Sequence, residues 1–141
     1  MNFDLQERAV LAGLADILIP AGEGFPSASD AGVAREGLDQ VLSFRPDLAD
    51  GLRRVLAAAR GCPAAAFVVE LQETDPEGFA LLAELVPGAY FLNPRVRAAL
   101  GYAGQNARTI DPRSDHLDGG LLQPVVDRGP MHRPTPKSSR A

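Results

Sequence analysis

The spacing of apolar residues between Leu5 and Leu100 constrains the fold most: they recur every three or four positions, in segments that Pro or Gly closes. That period places them on one face of a helix, and the punctuation limits each helix to a few turns. Leu5, Val10, Leu11, Leu14, Ile17 and Leu18 make the first stripe, over residues 4–19, and Pro20 ends it. Residues 21–29 are rich in Gly, Pro and Ser and read as a loop, with Ser29 or Asp30 able to cap a second helix that reaches about Phe44. Val33, Leu38, Val41 and Leu42 give that helix its apolar side. Pro46 and Asp47 mark a third start, for a helix carrying Leu48, Leu52, Val55 and Leu56 that stops at Gly61.

Pro63 suits the first turn of a fourth helix bearing Phe67, Val68 and Leu71, and Asp75-Pro76 opens a fifth bearing Phe79, Leu82, Leu85 and Val86. Pro87 and Gly88 predict a kink or break before Tyr90 and Phe91. Asn93-Pro94 then opens a short last helix over Val96, Ala99 and Leu100, closed by Gly101. Residues 65–69 fit either a helix or a short strand, and no longer alternating pattern occurs. The expectation is an all-α fold, a compact bundle of about five to six short helices.

The character of the chain changes after Gly101. Gly and Pro recur at Gly104, Pro112, Gly119, Gly120, Pro124, Gly129, Pro130, Pro134 and Pro136, which argues against regular structure. Residues 106–141 hold six Lys or Arg against four Asp, a net +2, whereas residues 1–105 hold eight against fourteen acids, a net −6. Leu117, Leu121, Leu122, Val125, Val126 and Met131 are too many apolar residues for a simple solvated linker. The chain is therefore read as a helical body, residues 1–105, with an extended Pro/Gly-rich C-terminal docking arm, residues 106–141.

Charge and chemistry narrow the function. With a net charge of −4 and no basic stripe, the chain offers little counterion release, so no nucleic acid is expected as partner. No segment approaches the roughly 20 apolar residues that cross a bilayer. Residues 1–8 show no basic start of a signal, and one unpaired Cys62 suits a reducing compartment, so the cytoplasm is the expected location. Asp111, Asp115, His116 and Asp118 are four oxygen or nitrogen donors within eight positions, but they lack the glycine and terminal Glu of a calcium loop, and a solvated turn is the expectation. His132 has no nucleophile or acid beside it to make it a base. Cys62, between Gly61 and Pro63, reads as a small buried thiol, with a reactive thiol at a helix start as the alternative. No Gly-x-Ser-x-Gly, phosphate loop or paired-Cys pattern is present, so no catalytic, cofactor-binding or metal residue is expected on this chain.

Several segments together resemble the gluconate 2-dehydrogenase subunit 3 family, the small subunits of flavin-dependent GMC-type oxidoreductases. The first is Leu14-Ala15-Asp16-Ile17-Leu18-Ile19-Pro20, followed by Pro26-Ser27-Ala28-Ser29-Asp30-Ala31-Gly32-Val33. The second is Gly88-Ala89-Tyr90-Phe91-Leu92-Asn93-Pro94-Arg95-Val96-Arg97, running into Leu100-Gly101-Tyr102-Ala103-Gly104-Gln105. The third lies in the arm, Leu121-Leu122-Gln123-Pro124-Val125-Val126-Asp127-Arg128-Gly129-Pro130 with Arg133-Pro134-Thr135-Pro136. Two departures stand out. Many members begin with a twin-arginine signal that this chain lacks, and Ala103 stands where proline is expected.

The resemblance implies an accessory subunit that is no enzyme on its own. A large GMC-type flavoprotein would hold FAD and oxidise an alcohol or sugar hydroxyl, while this chain supports its fold or shapes its substrate entrance. Tyr90, Phe91, Tyr102, Arg128, Pro130, Met131, His132, Arg133 and Pro134 are the expected partner contacts, since aromatics and Arg favour interface centres. For Tyr90 and Phe91 an ordinary place in the core is the competing reading. Two rival functions remain: a homo-oligomeric helical module whose tail swaps onto a second copy, and a metal-dependent enzyme built on Asp111, Asp115, His116 and Asp118.

Overall fold

The computed structural model describes residues 3–105 and 122–131. The chain falls into two units that part between Gly104 and Gln105. The described residues contain seven α-helices and one π-helical turn, and no strand. The all-α expectation holds.

Helix α1 (Leu5–Leu18) begins with a reciprocal cap. The Asp4 carboxylate accepts from the Glu7 amide at 2.7 Å, and the Glu7 carboxylate accepts from the Asp4 amide at 2.8 Å, satisfying two amides that the first turn cannot. Leu11, Leu14 and Ala15 face the core from α1. The expected continuous second helix over residues 30–44 is corrected. Gly32 lies in the left-handed region at φ 74°, residues Val33–Gly37 form a π turn, and α2 proper is Leu38–Phe44. Inside the turn Arg35 leaves helical geometry. The Arg8 guanidinium donates to the Ala34 and Arg35 carbonyls, both at 3.0 Å, and pairs with Asp39 at 2.6 Å. A planar fork of donors suits this task, because one side chain can serve two carbonyls and a carboxylate at once.

Helices α3 (Leu48–Ala59) and α4 (Ala64–Thr74) are separated by Gly61 at φ 78°, the left-handed stop that glycine adopts without a Cβ clash. Residues 65–69, open between helix and strand on sequence, are helical within α4. Helix α5 (Pro76–Leu92) starts where the Asp75 carboxylate accepts from the Gly78 amide at 3.0 Å. It runs unbroken through Pro87 and Gly88, so no break falls there. Pro87 removes one amide and leaves the Ala83 carbonyl without its usual partner, yet Ala83 is exposed, where water can serve that carbonyl. Burial supplies the rest of the reason. Leu82, Leu85 and Val86 are fully buried, and each contributes about 1.5–3 kcal/mol, enough together to exceed the roughly 3 kcal/mol cost of an interior proline.

Helix α5 packs against α1, the π turn, α2, α3, α4 and the short α6 (Pro94–Ala99), so it is the axis of the body. Its sequence is apolar almost all round, as a central helix requires. Asn93 joins α5 to α6: its side chain caps the new helix by accepting from the Arg95 amide at 2.7 Å. The second unit contains α7 (Gln123–Arg128), none of whose residues is buried. Over these residues the expected extended arm is instead a short helix, with Leu122, Val125, Val126 and Met131 exposed.

Candidate partner-docking groove

The loop that follows α1 returns sharply upon itself. Gly22 and Phe25 exchange both main-chain hydrogen bonds, at 3.2 and 2.8 Å. Between them Glu23 and Gly24 have φ of 49° and 86°, the pair of positive φ angles found in a mirror-image tight turn. Asn-Gly is the usual occupant; a Glu at the first position carries strain.

Polar side chains then fasten the loop to the helices. Asp16, in the last turn of α1, accepts from the Ser29 amide at 2.7 Å and from the Ser29 hydroxyl at 2.6 Å. Burial pulls the Asp16 carboxyl upward, but the hydrogen bonds from Ser29 and Ser27 outweigh it and hold the group below its ordinary value of 3.8. The Ser27 hydroxyl accepts from the Asp30 amide at 3.2 Å. From α5, the Tyr90 hydroxyl donates to the Pro26 carbonyl at 2.7 Å, and Asn93 donates to the Ala31 carbonyl at 2.7 Å. Burial raises the Tyr90 phenol above its ordinary value, so it stays a neutral donor. Among the described residues no buried side-chain nitrogen or oxygen lacks a partner.

The fastened loop and the end of α5 enclose an apolar groove of about 400 Å³, lined by Ile19, Pro20, Gly22, Glu23, Phe25, Tyr90, Phe91 and Leu100. Tyr90 is only 4% exposed and forms its floor, taking the core reading, whereas its edge-to-face neighbour Phe91 is 50% exposed. Their ring centroids stand 5.5 Å apart, a favourable aromatic geometry. Leu100, also 50% exposed, forms one rim. Tyr102, half exposed, lines a separate depression with Pro94, Arg97 and Ala98. A second apolar groove of about 260 Å³ lies among Val41, Phe44, Leu48, Leu85, Gly88 and Leu92. Its charged rim is internally paired: Arg45 bridges Asp47, at 2.7 Å, and Glu84.

Of the other expected contact residues, Arg128, Pro130 and Met131 are exposed in the second unit, and the Arg128 guanidinium lies 3.9 Å from the Met131 sulfur. His132, Arg133 and Pro134 lie outside the described residues, as do Asp111, Asp115, His116 and Asp118. Cys62 was expected buried and is exposed, because it follows Gly61 in the solvent-facing turn between α3 and α4. Among the described residues no three His, Cys, Asp or Glu side chains gather to hold a metal, and no helix is long and apolar enough to cross a membrane. Sequence reasoning located Phe91 and Tyr102 but missed the groove, whose other wall comes from the loop at residues 19–25. The chain matches no protein-family model, and neither the curated proteins nor the solved structures offer a significant match.

Proposed function

We infer that this chain is a non-catalytic small subunit that binds and stabilises a larger FAD-dependent GMC-type oxidoreductase acting on alcohol or sugar hydroxyls. The observation that supports the reading is the preformed apolar groove with Phe91 and Leu100 half exposed at its rim. Apolar surface gathered in a built concavity marks an interaction site more than scattered exposed residues do. A second exposed stripe, Leu122, Val125, Val126 and Met131 on and beside α7, adds the kind of face that a docking arm presents. The resemblance in residues 14–33, 88–105 and 121–136 points to the class of partner. A subunit that binds only the folded flavoprotein stabilises it by mass action, so flavin loading of the large chain should depend on it.

Co-expression with and without a GMC-type flavoprotein tests the reading. The two chains should co-elute, and flavin absorbance and alcohol or sugar oxidation should fall when the small chain is omitted. Deleting residues 106–141 should weaken co-elution. A stable chain that ignores the flavoprotein would sink the proposal and favour a homo-oligomeric module.

A further inference from the structure

The two apolar grooves of the body differ in one chemical respect. Around the groove at Phe44, Arg45 pairs with both Glu84 and Asp47. Glu23, in contrast, is the one charged residue among the described residues lining the groove at Phe91; it is exposed, and its carboxylate has no hydrogen-bond or ion-pair partner among the described residues. It also occupies the strained first position of the 22–25 turn, where Asn or Gly would sit without penalty. A carboxylate at a strained backbone position, with no partner among the described residues, points to a contact outside them. Around it, Asp16, Tyr90 and Asn93 fix the loop, so the groove is organised before any ligand arrives and little ordering is needed on binding.

Resting on the accessory-subunit reading, we propose that this groove is the recognition site for a segment of the flavoprotein that inserts an aliphatic or aromatic side chain between Phe25, Phe91 and Leu100 and sets a neighbouring Lys or Arg against Glu23. Apolar burial supplies affinity, and the lone carboxylate fixes register and rejects an acidic segment. The net −6 carried by residues 1–105 also favours a basic over an acidic occupant.

The test uses full-length chain and the purified, FAD-loaded flavoprotein, with dissociation constants measured at low and high salt. Glu23→Asn removes the charge and relieves the turn, so it should raise the melting temperature of the small chain while weakening binding about 5- to 10-fold and flattening its salt dependence. A residue of merely structural importance cannot give both signs. Phe91→Ser should weaken binding at least 10-fold with its salt dependence retained. Binding of both variants like wild type, with unchanged salt dependence, overturns the groove assignment and leaves the accessory reading intact. Wild-type chain that binds no flavoprotein overturns both. A change in the mass of the small chain alone, seen in Phe91→Ser by light scattering, would assign the groove to a second copy and overturn the proposed occupant.

Discussion

Replacing Asp16 with Ala separates two opposed physical expectations. Within α1 alone, the substitution should help: Ala has the better helix propensity, by about 0.5 kcal/mol, and an acid in the last turn opposes the helix dipole by about as much. Against this stand two charge-assisted hydrogen bonds to Ser29, at 2.6 and 2.7 Å. Each is worth about 1.5 kcal/mol at the lower end of its range, appropriate to a half-buried group. The net is a loss of about 2 kcal/mol. For a body of this size that lowers the melting temperature by about 10 °C. Circular dichroism melts of the full chain at pH 7 measure it directly. Acid provides a second check. Because the folded-state pKa of Asp16 lies below its ordinary 3.8, its contribution is complete above the unfolded value and disappears as pH falls through the folded one. The gap between wild type and Asp16→Ala should therefore be constant above about pH 5 and narrow as pH falls below about 4. An unchanged or raised melting temperature at pH 7 would refute the latch and leave only the helix terms.

Tyr90→Phe keeps the ring but removes the donor to the Pro26 carbonyl; a loss of about 1 kcal/mol is expected in chemical denaturation, with the midpoint moving and the slope unchanged. Pro87→Ala restores an amide to α5 and should stabilise the chain by about 1–3 kcal/mol, seen as a higher melting temperature; destabilisation would mean that the ring's packing outweighs the missing hydrogen bond. Exposed Cys62 should react fully with a thiol reagent in native buffer, in one equivalent and at a rate that denaturant scarcely changes.

The helix boundaries that sequence reasoning located are those that local chemistry decides. Asp75-Pro76, Asn93-Pro94 and Gly61 act within one turn of their own position, and each performs in the structure as its type suggests. The failures are those of distant partners. The second helix is divided at Gly32 and Arg35, and the carbonyls exposed there are served by Arg8, which is 26 and 27 positions away. Ser29 read as a helix cap, but its amide and hydroxyl turn to Asp16. At Pro87 local propensity argued for an interruption, and burial of Leu82, Leu85 and Val86 on the central helix overrode it. The groove shares that origin. Phe91 and Leu100 are visible as apolar residues in the sequence, but the turn that faces them belongs to a segment about seventy positions earlier, and no periodicity couples the two.

Tyr90 and Asn93 hold the loop by its carbonyls, at Pro26 and Ala31, and a carbonyl is supplied by any amino acid. The scaffold is thus blind to the identity of the side chains it displays at Glu23 and Phe25, within the limits of the tight turn. Such a surface can be rewritten position by position as its binding target drifts, with no compensating change in the helices beneath. The fold resembles a clamp with an exchangeable jaw, and a library varied at Glu23 and Phe25 should yield folded chains far more often than one varied at Tyr90 and Asn93.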